Sequence, residues 1–189
     1  KKSCIKKSPT FISCTKRFFL LTGLAFLNQK GATRRFFSRT TPFCRSFEEW
    51  KKTTEELVEK CGSLKIKYIV LPLVDNSSIK NKITENIVVR ELLKLQGKLL
   101  KNKVICLFES DFAPKKLLNF LKRFNSRSYG LNYDLGNSAS LGYNIDEEFK
   151  FCRKYIKNVH LKDRLKNGPS VRFGLGDANF KKLFKNLKK

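Results

Sequence analysis

From residue 46 onward, apolar and polar positions alternate in blocks that predict a regular series of strands and helices. Short apolar runs rich in β-branched residues predict strands at 65–74, 103–108, 129–134 and 156–161. Amphipathic segments predict helices at 46–62, 84–101, 114–124, 146–155 and 179–187. Strict alternation of helices and strands is typical of a parallel α/β architecture.

Local residue signals support several of these boundaries. Ser46 followed three residues later by Glu49 is a capping box, in which each side chain satisfies a backbone N–H at the start of a helix. Pro114 stands in a first turn, where proline is tolerated, and Asp177 is predicted to cap the last helix. The strand at 65–74 is mostly apolar at its centre, as in a parallel sheet that is buried on both faces.

The first 45 residues do not follow this alternation. They hold an early basic segment, an apolar run at 18–27 and then a basic tract rich in phenylalanine. The run is too short to span a bilayer. The basic start resembles a secretory signal, but no small-residue cleavage site follows it. We therefore expect a divergent or damaged N-terminal region at 1–45, with a first strand and its loop, and an α/β domain at 46–189.

The composition and net charge limit which binding partners are expected. The chain has 189 residues, 41% of them hydrophobic, which suits one domain with a core. The net charge of +25 can indicate binding to nucleic acid or to an anionic membrane. Here, however, the charge comes mainly from lysines spread along the predicted helices, without an Arg-rich block. We therefore predict no specific nucleic-acid partner and no membrane partner, whereas phosphorylated substrates are electrostatically favoured.

Cysteine usage favours a reducing compartment. The six cysteines show no CxxC pair and no regular spacing. This pattern is typical of reduced thiols and predicts a cytoplasmic protein rather than a disulfide framework. The cysteines are Cys4, Cys14, Cys44, Cys61, Cys106 and Cys152.

Ligand-like side chains follow the predicted strands. Asp75, Glu109, Asp134 and His160 each stand at or just past the carboxyl end of one strand. Each alone has an ordinary interpretation, because acids at strand ends often cap helices and a single histidine is often structural. Together they are expected to converge, because parallel α/β folds assemble their sites at that edge. Two carboxylates and one imidazole suit Mn²⁺, Mg²⁺, Zn²⁺ or Co²⁺ without choosing among them.

Four motifs carry a family resemblance. VLPLVDNSS at 70–78, FESD at 108–111, NYDLGNSASLGY at 132–143 and NVHLKDR at 158–164 resemble the sugar phosphate isomerase/epimerase family with the xylose isomerase-like (β/α) barrel. The similarity is greatest to the bacterial ketopentose- and hexulose-phosphate branch and covers roughly 46–189. The third and fourth motifs are specific in combination.

The resemblance implies a fold and a ligand set. Members hold one divalent metal with two Glu, one Asp and one His, and by motif Glu109, Asp134 and His160 match three of these four. The fourth, a Glu on the last barrel strand, has no counterpart before Lys189. An incomplete barrel is therefore expected, with the first strands unclear and the last strand missing. Because an unclosed sheet keeps exposed edges, aggregation or a homo-oligomer is expected.

The resemblance also implies a reaction. A metal-bound ketose phosphate would lose its C3 proton to give a stabilised enediolate, with Glu109 as one acid/base group as well as a ligand. Lys162 or Arg164 would meet the phosphate, Asp163 would orient a ligand, and the loop with Gly174 and Gly176 would offer a second phosphate site. A surface charge cluster is the alternative interpretation. Possible contacts to sugar hydroxyls, or loop caps, are Asp75, Asn76 and Asn137.

Two other functions remain open at this point. Apurinic endonucleases share the superfamily fold and bind DNA, which would suit the positive charge, but their zinc cluster needs several histidines and this chain has one. An inactive barrel fragment would bind polyanions without specificity, with a steep dependence on salt.

Overall fold

The computed structural model describes residues 18–20 and 47–188, and its centre is one sheet of parallel strands. The order of strands in the sheet is their order in the chain. Each crossover therefore moves the chain one strand further in the same direction, as in a barrel, whereas a doubly wound sheet reverses direction at a switch point. The strands are β1 (Phe18–Leu20), β2 (Tyr68–Leu73), β3 (Ile105–Ser110), β4 (Tyr129–Asp134) and β5 (Ile156–His160).

Helices connect these strands, and a small hairpin follows β5. The helices are α1 (Phe47–Ser63), α2 (Lys82–Lys101), α3 (Pro114–Leu121), α4 (Leu135–Leu141), α5 (Ile145–Cys152) and α6 (Phe180–Leu187). Single 3₁₀ turns lie at Asp75–Ser77 and Arg153–Tyr155. The hairpin pairs β6 (Asp163–Arg164) with β7 (Ser170–Val171) in antiparallel fashion.

One face of the sheet packs against the helices and is apolar. At its centre the ring of Phe108 stacks on Tyr129 with a centroid distance of 5.6 Å. Phe120 from α3 meets Phe108 edge-on at 5.1 Å, and Phe124 lies 4.8 Å from Tyr129. Aromatic pairs at these distances add to the stabilisation from burial. Other buried residues of this cluster are Ile69, Leu71, Val88, Leu92, Leu95, Leu99, Cys106 and Leu131.

A bulge in β5 decides which side chains reach the opposite face. Leu131 pairs with Ile156, but the next residue, Asn132, pairs with Asn158, so Lys157 is an extra residue. Because side chains alternate along a strand, one extra residue reverses every later side chain. His160 consequently shares a face with Asn132, while Val159 packs into the helix-facing core.

The structure changes several predicted boundaries. Strands β2 and β3 begin after the predicted positions because Lys65 and Lys103 have φ of 57° and 56°, and this left-handed conformation does not fit a strand. Helix α6 is capped by Asn179, whose side chain accepts from Lys182 N at 2.9 Å. The prediction of Asp177 as its cap was wrong, because Asp177 lies too far from the first turn and instead accepts from Lys166 N at 2.7 Å.

Two elements were not predicted, and some predictions fall outside the described residues. Helix α4 and the β6–β7 hairpin are additions to the predicted order. The predicted capping box at Ser46 and most of region 1–45 lie outside the described residues, although β1 falls within the apolar run at 18–27.

The described cysteines, Cys61, Cys106 and Cys152, are free and buried. Within the part of the chain that the structure describes, no helix is long and apolar enough to cross a membrane.

Candidate metal centre

Three potential ligands meet at the carboxyl ends of neighbouring strands. Glu109 stands near the end of β3, and Asp134 and His160 are the last residues of β4 and β5. One ligand atom from each lies within 4.8 Å of the others. Glu109 Oε2 lies 3.3 Å from His160 Nδ1, and Asp134 Oδ2 lies 4.0 Å from the same nitrogen. The structure thus brings together the three residues that the motifs nominate.

Asn132 orients two of these ligands. Its Oδ1 accepts a hydrogen bond from Asn158 Nδ2 at 2.6 Å, which fixes the direction of the amide group. Its Nδ2 donates to Glu109 Oε2 at 2.7 Å and lies 3.0 Å from His160 Nδ1. Nδ1 can accept from Asn132, with the ring proton on Nε2, or it can carry a proton and donate it to Glu109 Oε2 at 3.3 Å. A divalent cation would take the place of that proton between the imidazole nitrogen and the carboxylate oxygen.

The two carboxylate oxygens of Asp134 have different roles: one caps a helix and the other faces the candidate metal site. Oδ1 accepts from Asn137 N at 2.8 Å and so caps α4. Oδ2 is buried without an aligned hydrogen bond, although the ammonium of Lys162 lies 2.9 Å from it. A buried carboxylate oxygen with unfilled hydrogen-bonding capacity is a feature of ion sites. The donor set and this oxygen fit a divalent cation.

The pKa values of the two carboxylates move in opposite directions. Burial raises the pKa of Asp134, and the charge of Glu109 adds to this, whereas Lys162 and the amide of Asn137 offset it only in part. Burial also acts to raise the pKa of Glu109, but the contacts with His160, Lys162 and Asn132 outweigh it, so the pKa is lowered. A divalent ion would favour the charged form of both groups.

A polar cluster adjoins the three ligands. Asn137 Oδ1 accepts from Lys162 Nζ and from Arg164 Nη1, both at 2.9 Å, while its Nδ2 donates to Glu109 Oε1 at 2.8 Å. Arg164 also donates to Gly168 O at 3.0 Å. Three residues nominated for substrate contact therefore lie in one network with the acidic site.

The nominated residues Asp163, Gly174 and Gly176 form a separate hydrogen-bonded group. Asp163 is 1% exposed, and its carboxylate accepts from the backbone amides of Gly174, Gly176 and Ala178 at 2.8, 3.0 and 3.1 Å. The glycine amides that were expected to meet phosphate thus donate to Asp163, and they tie the 174–178 loop to β6. Asp75 is exposed in the 3₁₀ turn after β2, outside the three-ligand cluster.

Sequence reasoning missed the two asparagines of the site. Asn132 and Asn158 each precede a ligand by two residues, in the patterns N-x-D and N-x-H. Because strand side chains repeat with a period of two, a polar residue two positions before a ligand points to the same face. That spacing was the available signal.

Comparisons with known proteins identify the fold. No known family profile matches the chain, and no curated protein matches it in sequence. Among solved structures, a xylose isomerase domain protein from Planctomyces limnophilus has a TM-score of 0.63 and 21% identity, and the match covers 75% of this chain and 54% of that one.

Two further structures extend this likeness. The IolI protein with a bound zinc atom has a TM-score of 0.63 and 20% identity over 75% of this chain and 56% of its own. D-psicose 3-epimerase with D-tagatose, from Clostridium cellulolyticum H10, has a TM-score of 0.62 and 13% identity over 75% and 52%. The chain spans about half the length of these structures. The predicted fold class, part of a xylose isomerase-like barrel, is confirmed.

Proposed function

We propose that this protein is a metal-dependent isomerase or epimerase of a ketose phosphate. The observation that carries the proposal is the cluster of Glu109, Asp134 and His160, whose ligand atoms lie within 4.8 Å of one another at the carboxyl edge of a barrel-like sheet. Structural neighbours with the same fold include one solved with zinc and a D-psicose 3-epimerase solved with D-tagatose.

The donor set suits a catalytic ion better than a structural one. Structural zinc sites are closed by four protein ligands, whereas catalytic sites keep positions open for water or substrate. The described residues offer three ligands, two carboxylates and one imidazole, which suit Mn²⁺, Zn²⁺, Mg²⁺ or Co²⁺. The ion would supply Lewis-acid stabilisation of the negative charge that develops on the substrate oxygens.

Glu109 is the proposed proton acceptor. Its pKa is lowered, so the side chain is a carboxylate at neutral pH. Asn132 holds Oε2 at 2.7 Å and Asn137 holds Oε1 at 2.8 Å, so the group is oriented before substrate arrives. We assign it to remove the proton from the carbon next to the ketose carbonyl.

Cations beside the ligands favour a phosphorylated substrate. Lys162 and Arg164 both reach Asn137 Oδ1, next to the three ligands. Arginine and lysine are the usual partners of phosphate groups. The net charge of +25 would also attract anionic substrates over a longer range.

A calorimetric Mn²⁺ titration tests the metal site. We expect stoichiometric binding by the unmodified chain, and its loss in Glu109→Ala and in His160→Ala. Glu147→Ala is the matched control, because Glu147 is an exposed acid on α5 outside the ligand cluster. Binding that survives both ligand variants would contradict the proposed site.

Solvent exchange tests the reaction and the substrate class. Incubation of ketopentose phosphates in D₂O with Mn²⁺ should give deuterium at C3, measured by NMR, and Glu109→Gln should abolish it. Unphosphorylated ketoses are the control. Equal exchange with and without phosphate would contradict the phosphate assignment while leaving the isomerase or epimerase assignment in place.

A further inference from the structure

The ammonium group of Lys162 lies inside the acidic site. Its Nζ is 2.9 Å from Asp134 Oδ2 and 2.9 Å from Asn137 Oδ1, and the side chain is 17% exposed. Asp134 Oδ2 is also the buried oxygen that lacks an aligned hydrogen bond. The lysine and a divalent ion would therefore contact the same ligand atom.

A glycine makes room for this lysine. A Cβ atom at Gly136 would lie 2.9 Å from Lys162 Cγ, 2.9 Å from Cε and 3.0 Å from Cβ. The stem of Lys162 therefore lies against the first turn of α4 at a distance that a larger residue at 136 would prevent. Two separate positions of the sequence thus contribute to placing the ammonium beside Asp134.

The position of the Lys162 ammonium affects how strongly the site can bind a cation. Glu109 and Asp134 are both buried, and their mutual repulsion is partly balanced by the nearby ammonium. An entering divalent ion would meet the ammonium as a like charge at close range. In a buried site, such repulsion between neighbouring charges is strong enough to change affinity by orders of magnitude.

We propose that Lys162 is a resident counter-cation of this site, which leaves Asp134 Oδ2 when a divalent ion enters and thereby sets the affinity for metal. This inference rests on the metal site of the proposed function. Asn137 Oδ1 offers the displaced ammonium a partner that it already contacts, and Arg164 shares that oxygen. Metal entry would therefore convert Lys162 from a partner of Asp134 into one of two cations available to an anionic substrate.

Mn²⁺ affinity of the full chain tests the proposal. Lys162→Met removes the charge and keeps an apolar stem of similar length, so we expect binding at least about tenfold tighter than that of the unmodified chain. Lys162→Arg keeps the charge and should bind more weakly than Lys162→Met. Lys157→Met is the control, because it removes an exposed lysine from β5, the strand that leads to Lys162, and should leave the affinity unchanged.

A second variant covers the case in which Lys162→Met does not fold. Gly136→Ala keeps every charge and crowds Lys162 from Cβ to Cε, so it should also bind Mn²⁺ more tightly. Thermal unfolding supplies an independent readout, since the increase in Tm on adding Mn²⁺ should be larger in both variants than in the unmodified chain.

The outcomes separate this inference from the proposed function. Unchanged or weaker binding in Lys162→Met and Gly136→Ala, with normal binding by the unmodified chain, would overturn the role of Lys162 and leave the metal site intact. Absence of binding in every variant, Lys162→Met included, would overturn the metal site itself. Binding that appears only when the lysine is removed or displaced would support both.

Discussion

Asp134 and Asp163 are both buried aspartates close to the end of a strand, yet their surroundings differ. The carboxylate of Asp163 accepts three backbone N–H groups from one loop. Asp134 accepts one backbone N–H, and its other oxygen has an ammonium nearby but no aligned hydrogen bond. A carboxylate whose capacity is filled by backbone amides stabilises structure, whereas one with an unfilled buried oxygen can bind an ion.

Removal of Asp163 should give the largest loss of stability. In Asp163→Ala the amides of Gly174, Gly176 and Ala178 lose their acceptor, and we expect the free energy of unfolding to fall by about 3 kcal/mol. Chemical denaturation measures this change. Mn²⁺ affinity of the folded variant should match that of the unmodified chain. A loss of affinity equal to that of a ligand variant would show that Asp163, like Asp134, contributes to metal binding.

Asp134→Asn should have the opposite effect, with a small loss of stability and a large loss of metal affinity. The amide oxygen can still cap α4, so we expect the free energy of unfolding to change by no more than about 1 kcal/mol. Metal affinity should fall at least about 100-fold, because a charged ligand becomes neutral. Calorimetry measures the metal affinity and denaturation measures the free energy of unfolding of the same sample. A stability loss as large as that of Asp163→Ala would show that Asp134 is mainly structural.

Asn179→Ala tests only the region around Asp163, outside the metal site. The side chain caps α6 directly after the loop that Asp163 holds. Loss of the cap should lower the free energy of unfolding by about 1 kcal/mol, measured by denaturation, and should leave Mn²⁺ affinity unchanged. A change in affinity would indicate that the loop and the metal site are coupled.

Glu148 is another buried acid, and its contribution to stability depends on pH. Burial raises its pKa, and the hydrogen bonds from Ser138 and Tyr133 offset this only in part. Its contribution to stability is complete below the ordinary glutamate pKa of about 4.3 and is lost as pH rises through the higher folded value.

Glu148→Gln should remove this dependence. The free energy of unfolding of the variant, relative to that of the unmodified chain, should rise between about pH 4 and about pH 7. Denaturation at several pH values measures it, and we expect this to be the smallest of the four effects. A flat or falling difference would contradict the raised pKa.

The sequence predicted the parts of the site that follow from regular geometry. Parallel strands end at one edge, so Glu109, Asp134 and His160 could be expected together without knowledge of any contact. Strand β4 was predicted with its observed bounds because turn-forming residues precede it and its ligand ends it. These predictions needed only the alternation of helices and strands.

The parts that were missed depend on contacts distant in sequence or on weak local signals. The role of Asp163 follows from a loop that returns 11 to 15 residues later to donate its amides. Helix α4 has seven residues, among them a glycine and two serines, which give little helical periodicity. Its capping residue, Asp134, was assigned a ligand role, with helix capping only as the ordinary alternative. A residue that serves both purposes provides no separate helix signal.

The bulge at Lys157 sets the phase of everything that follows in β5. If Lys157 instead paired with Asn132 in a regular ladder, Val159 would stand opposite Asp134 and the imidazole of His160 would point into the core. Deletion of Lys157 itself would only remove the bulge, and Asn158 would stay opposite Asn132 and His160 opposite Asp134. An alignment of β5 with a strand that has no bulge therefore needs a gap at Lys157, because without it Val159 would be matched to the position of the histidine ligand.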